Sequence, residues 1–478
     1  MSWSALDWVA LGAVTIVAAL LRTLRLADPR SLVFDETYYA KDACWYALGS
    51  RSACGIDAEQ TAVHPPLGKW LIAAGVKAFG YDSFGWRIAA VVAGTMTVAL
   101  LYLLARKVLR STLGATVASG LLAFDLLHFV QSRIAMLDVF MVLFGVAAIL
   151  FCVLDRQTML EGRRGEPGRL GVSPWRLAAG VAAGAAVASK WSGGLFAITA
   201  LALTSAWAWG ARRRLEGRSR GPSGRREAAS ILLSLVVLPL LVYVLTYVGR
   251  LDGDLVALPG SSGSWLRALW DRQLYMFDFH SGLEATHPYA SPAWSWILLK
   301  RPVSYFFEAT PGGDYMEIFA TGSPLVWWPS IPALAYVGWR WLRTRDMAGP
   351  EGLILTGFAL NYFPWLVLAT ERSAVFLFYL LPAVPFMCLA LAYVPARLAR
   401  SPATAPAVVV AAAVTIALFA FYYPLLAKVA IPRQSWEQRI WVFDNCDEPP
   451  PTESAGNKVG TGDQEASEDR PPSGWCWI

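Results

Sequence analysis

Long apolar runs, each ended by a cluster of charges, dominate the chain. A helix crossing a hydrocarbon core needs about 20 mostly apolar residues, and by that measure eleven spans are expected, at 5–26, 85–105, 112–130, 134–154, 175–189, 191–210, 229–249, 323–342, 351–370, 372–394 and 404–427. Only Lys190 and Trp191 separate the fifth from the sixth. Two amphipathic stretches lie between spans. Residues 66–79, PLGKWLIAAGVKAF, are too short to cross and predict an interfacial or re-entrant helix. In residues 264–280, Trp265, Leu266, Leu269, Trp270, Met276 and Phe277 fall near one helical face, which predicts a helix lying in the interface.

Composition agrees and narrows the class. Apolar residues are 56% of the 478 and charged ones 16%, which excludes a soluble globular domain, a disordered chain and a collagen-like fibre. The basic residues are distributed by side. With a cytoplasmic N-terminus, five short inner loops hold 20 of the 41 Lys and Arg, including the run from Arg212 to Arg226, as the positive-inside rule requires. Arg22, Arg25 and Arg30 at the outer end of the first span are the exception. The net charge of +6 then needs no nucleic acid to explain it. The first span, which runs directly into a motif-rich loop, reads as a signal anchor.

This orientation exposes residues 27–84, 250–322 and the tail 428–478 on the extracytoplasmic side, so the interfacial helices belong to the first and fourth outer loops. The tail, rich in Pro, Gly and acids, is expected to be partly disordered, with Gly474 to Ile478 docking back onto the outer face or anchoring in the interface. Cys44, Cys54, Cys446 and Cys476 lie outside, where disulfides persist. Cys44 with Cys54 and Cys446 with Cys476 are the simplest pairings, but spacing alone leaves three arrangements open. Zinc is the weaker alternative, since no CxxC or HxxxH accompanies them.

The candidate chemistry gathers on the same side. Asp35 and Glu36 follow the first span; such a pair is either a solvated loop feature or a general base with a supporting carboxylate. His64 and Lys69 stand just downstream in His64-Pro65-Pro66-Leu67-Gly68-Lys69. Arg133 is too costly near hydrocarbon to go unpartnered, which suits contact with Asp138, a lipid headgroup or a substrate phosphate. Lys190 invites the same readings. Asp125 and His128, in the third span, are expected to bond to each other or to neighbouring helices. The segment 280–302 combines His280, Glu284, His287, Tyr289, Trp294, Trp296, Lys300 and Arg301; aromatic faces stack on sugars and basic groups hold phosphate, although interfacial anchoring explains Trp and Tyr equally well.

In order and topology, FDE after the first span, HPPLGK, SRIAMLD, SKWSG and HSGLEATHPYASPAWSW resemble the protein O-mannosyltransferases that use a polyprenyl-phosphate sugar donor. The resemblance implies an all-α polytopic membrane glycosyltransferase of the GT-C type, with residues 1–430 as its transmembrane domain and 431–478 as the outer tail. It implies Asp35 as general base, Glu36 as supporting or acceptor-positioning carboxylate, Arg133 and Lys190 at the donor phosphate, and His64, Lys69, His280, His287, Tyr289 and Trp294 as candidates for contact with substrate. The implied partners are polyprenyl-phosphate mannose, Ser and Thr of exported proteins, the bilayer and, as a further candidate, the protein export channel. No metal or cofactor is demanded, although the acidic pair could bind a divalent ion. About 70 residues in the large outer loop leave no room for the β-trefoil of eukaryotic relatives, which looks like a bacterial, actinobacterial-type form. Another lipid-linked GT-C transferase acting on a glycan or lipid is the near alternative. A transporter or flippase is the distant one, because the polar groups gather at helix ends rather than at the midplane.

Overall fold

The computed structural model describes residues 3–57, 60–162, 173–215, 224–248, 265–283, 287, 289–369, 374–398, 401 and 403–440. Glu284, Cys446, Cys476, the terminal Trp residues and 216–223 of the basic run lie outside these. The first helices are α1 (Ala5–Thr23), α2 (Glu36–Leu48), α3 (Leu67–Phe79), α4 (Ser83–Leu109), α5 (Thr112–Ala123), α6 (Leu126–Gln131) and α7 (Asp138–Gly162). Next come α8 (Pro174–Ser189), α9 (Gly194–Leu215), α10 (Gly224–Leu232) and α11 (Leu238–Leu245), the last two joined through a π-helical stretch. Helices α12 (Trp265–Ser281) and α13 (Ala293–Trp296) precede strands β1 (Val303–Ala309) and β2 (Asp314–Ala320). The remainder is α14 (Pro324–Thr344), α15 (Pro350–Leu368), α16 (Val384–Leu398), α17 (Thr404–Leu426), β3 (Ile431–Pro432) and α18 (Arg433–Ile440).

Among the described residues, eight helical stretches are long and apolar enough to cross a membrane, so the expected count of eleven is not reached. The three that differ do so for local reasons. The third expected span breaks at Asp125, whose carboxylate caps α6 by accepting the His128 N–H at 2.9 Å and also receives Ser323 N–H and Trp327 Nε1–H. Helix α8 has only 16 residues, and α14 is long enough but carries internal Pro329 and Pro332 among its Trp and Arg residues. Helix α7 is the core of the bundle, with 83% of its apolar window buried, whereas α1 and α17 at 17% form the rim. On α8, a Cβ at Gly180 would meet the Ser234 carbonyl oxygen at 1.9 Å, so only glycine admits the α8 contact with the 234–239 segment.

Two further differences arise near the outer loops. β-Branched and aromatic residues crowd VSYFFEA and DYMEIFA, and with the turn through Gly313 at φ +83° they make a β-hairpin where only an outer loop was expected. Strand β3 pairs with β2, and Trp436 is buried and donates to Glu317 at 2.6 Å, so the first ten residues of the expected tail are part of the fold. Helix α12 forms as expected, but its apolar residues divide between two faces: Leu269 and Met276 pack inward while Leu266, Trp270 and Phe277 point outward.

Candidate active site at the start of α2

The site begins with a tight turn. Phe34 takes a left-handed backbone conformation at φ +47°, which is unfavourable for a residue with a Cβ. Its ring is held in place by stacking on Tyr305 at 4.5 Å and by edge contacts to Phe376 and Phe378. Asp35 follows at the N-cap position of α2, half-buried, with Tyr39 Oη–H donating to its Oδ2 at a long 3.3 Å. Burial pushes the Asp35 carboxyl up to about 6, against the pull of the Lys190 charge and with a further push from Asp138. Burial, and the Asp35 charge after it, hold the Tyr39 phenol well above its ordinary value, so that it stays a donor.

Lys190 lies in the extended turn after α8 and donates to both oxygens of Asp138, at 2.9 and 2.8 Å, above the ring of Tyr379. Asp138 opens α7, where the positive helix end favours a carboxylate. An ammonium has three donors, and Asp138 takes two of them. On the other side, the rings of Tyr39, His64, His280 and Trp191 succeed one another at 5.8, 5.3 and 5.9 Å, and His280 Nε2 meets the Val63 carbonyl at 2.9 Å. His287 packs on Phe376 and accepts the Tyr289 N–H at 3.2 Å; burial lowers its affinity for a proton, in keeping with that acceptor role. The four motif segments around 35, 64, 190 and 280 therefore converge on one place.

Glu36 is sealed beneath this site. Arg87 donates to both of its oxygens at 2.8 Å, Val33 N–H and Ala135 N–H complete the set, and Arg87 also holds the carbonyls of Leu26, Pro29 and Ser31. This bidentate pair clamps the loop that presents Asp35. Among the described residues, no group of three His, Cys, Asp or Glu converges as metal ligands.

These motifs recur in known proteins. The dolichyl-phosphate-mannose-protein mannosyltransferase family matches residues 12–86 and 78–250, and the C-terminal four-helix region of protein O-mannosyltransferase matches 265–444. The chain belongs to the protein O-mannosyltransferases. The polyprenol-phosphate-mannose–protein mannosyltransferase of Mycobacterium tuberculosis is 32% identical, covering 91% of each chain, and that of Corynebacterium glutamicum is 28% identical over 92% of this chain and 94% of its own. One subunit of the Saccharomyces cerevisiae Pmt1-Pmt2 complex bound to the sugar donor shares the fold at TM-score 0.74 and 15% identity, covering 92% and 93% of the two chains. ArnT from Cupriavidus metallidurans bound to undecaprenyl phosphate matches at TM-score 0.54 and 18% identity, over 92% and 70%. The fold is thus of the GT-C type.

In this protein O-mannosyltransferase, other expected site residues have structural employment. Arg133 donates to the carbonyls of Leu21, Arg22, Leu24 and Arg25 at 2.6 to 3.2 Å, capping the end of α1, and its contacts among the described residues include none with Asp35, Asp138 or Lys190. Lys69 is fully buried, pairing with Asp42 at 3.2 Å and holding the Thr61 carbonyl at 3.0 Å. Trp294 is 57% exposed and points away from the core, while Trp296 is the buried one. Tyr39, Asp138, Tyr305 and Tyr379 belong to the site without having been expected there. Of the alternative disulfides, Cys44–Cys54 forms, tying the far end of α2 to the following turn.

Proposed function

We propose that this transferase moves mannose from polyprenyl-phosphate mannose to Ser or Thr hydroxyls of exported proteins. The donor's polyprenyl tail would stay in the bilayer while its phosphate and sugar reach the cleft beside Asp35. Asp35 takes the acceptor proton as that oxygen attacks the anomeric carbon; the bond from carbon to phosphate oxygen breaks, and configuration inverts. The leaving phosphate is already a stable anion, so no protein acid is required. The remaining Lys190 donor stabilises its growing charge, with Asp138 holding the ammonium in place. Glu36 and Arg133 serve as braces for the loop and for α1. His64, His280, His287 and Tyr289 line the approach for sugar or acceptor.

The observation that carries this reading is the half-buried Asp35, lifted to about 6 and set within electrostatic reach of the Lys190–Asp138 pair. The relatives' names supply the substrates, and the loop charges support a cytoplasmic N-terminus in the cell membrane with Asp35 on the outer face. Purified protein with radiolabelled polyprenyl-phosphate mannose and a Thr-rich peptide tests it. Label is expected in the peptide, removable by an α-mannosidase; label appearing only in added glycan or lipid acceptors would replace the protein acceptor with one of those.

A further inference from the structure

A cavity of about 600 Å³ opens at the end of the bundle far from Asp35. Helix α4 connects the two ends without interruption: Arg87, which clamps Glu36, lies near its start, and Lys107, which lines the cavity, in its last turn. At the rise of an α-helix they are roughly 30 Å apart, about the thickness of a hydrocarbon core.

The cavity is lined by Lys107, Arg110, Arg156 and Arg397, with the rings of Trp207 and Tyr393, and among the described residues no carboxylate lines it. Two of the cations are fixed by the protein. Arg156 donates to the Ala348 carbonyl at 2.7 Å and lies over Trp207, and Arg397 pairs with Glu351 at 3.0 Å. The side chains of Lys107 and Arg110 have neither an ion pair nor a hydrogen bond among the described residues. Arg110 adopts a left-handed backbone at φ +53°, which a residue with a Cβ rarely takes. Gly349 and Pro350 bring the positive N-terminal end of the 19-residue α15 to the same wall. Glu351, in the first turn of α15, already answers Arg397 and the helix end, but Lys107, Arg110 and Arg156 leave a positive excess around the concavity that favours an anion between them.

We propose that this cavity binds a phosphorylated polar group, either the headgroup of an anionic phospholipid in the leaflet opposite the active site or a small soluble phosphate ester. Guanidinium forks grip phosphate oxygens, and Trp207 and Tyr393 give the attached polyol an apolar wall. The site is separate from donor binding, because the length of α4 stands between them.

Native mass spectrometry on the full-length protein from nanodiscs containing phosphatidylglycerol reads lipid retention. Wild type is expected to hold one phosphatidylglycerol roughly 30-fold more tightly than the Lys107→Gln/Arg110→Gln variant, the effect of two cations near a lipid surface. Equal retention by the two proteins excludes the lipid headgroup as the ligand. A second arm uses glycerol 3-phosphate with protein in phosphatidylcholine nanodiscs: thermal stabilisation of wild type but not of the variant, without a lipid difference, assigns the site to a soluble ester. If neither probe separates the proteins, the site is refuted. Should the double variant fold poorly in phosphatidylcholine, Lys107→Gln alone is used, with roughly fivefold weaker binding expected.

Discussion

Glu36 has both oxygens on the Arg87 guanidinium and accepts two backbone N–H groups besides, whereas Asp35, one peptide earlier, accepts one long hydrogen bond from Tyr39 among the described residues and meets Lys190 only through space. Two adjacent acids thus have opposite electrostatic surroundings. The Glu36 oxygens are fully engaged and leave no lone pair facing a substrate, whereas half-buried Asp35, raised to about 6 by burial, has one to offer an acceptor proton. The same contrast separates the cations. Arg133 is spent on four carbonyls, while Lys190 keeps one donor beyond Asp138. In this site the group with fewer partners is the one available for chemistry.

The sharpest way to break the contrast is Asp35→Asn. Loss of a general base costs about a hundred- to ten-thousandfold in rate, so transfer to peptide is expected to fall about a thousandfold with thermal unfolding unchanged. Near-normal transfer would return Asp35 to the status of a loop residue. Arg87→Met should act on the other half, leaving Glu36 buried without its cation and costing about 3–5 kcal/mol in stability. Denaturant unfolding in micelles checks this, with Arg87→Met/Glu36→Met recovering part of the loss. An inactive Arg87→Met protein as stable as wild type would show the clamp to be part of the chemistry instead.

The smallest effects concern pH. The base works as a carboxylate, so kcat/KM should rise as pH increases through about 6 and level off above it, following Asp35. The Lys190 charge lowers the Asp35 value and the Asp138 charge raises it. Lys190→Met should therefore move the rise to higher pH and Asp138→Asn to lower pH; movement of both in one direction would mean that another group sets the profile.

The helical membrane fold was legible because apolar runs of span length have few other uses, and the ordered motifs pointed to the right family. The division of labour within those motifs was not. Glu36 could be read as a brace only by knowing that Arg87 and the Ala135 N–H arrive there, 51 and 99 residues along the chain. Arg133 looked like a phosphate ligand because its true acceptors are main-chain carbonyls, which leave no mark in a sequence. Tyr379 was hidden inside an expected span; the structure instead winds Leu377–Ala383 as a short 3-10 turn that brings its ring to Lys190. The hairpin was legible in the β-branched and aromatic residues on either side of Gly312-Gly313, within a stretch that otherwise reads only as part of the large outer loop.

The Cys44–Cys54 bridge gives the active face a chemical memory of its compartment. Helix α2 presents Asp35 at one end and is bridged at the other, so the scaffold behind the base is completed by an oxidation rather than by packing alone. Such bonds persist outside the reducing cytosol. Cys152 and Cys388 are buried thiols within helices, so a Cys44–Cys54 bond trapped in native membranes would place the Asp35 end of α2 on the oxidising side, independently of any count of arginines.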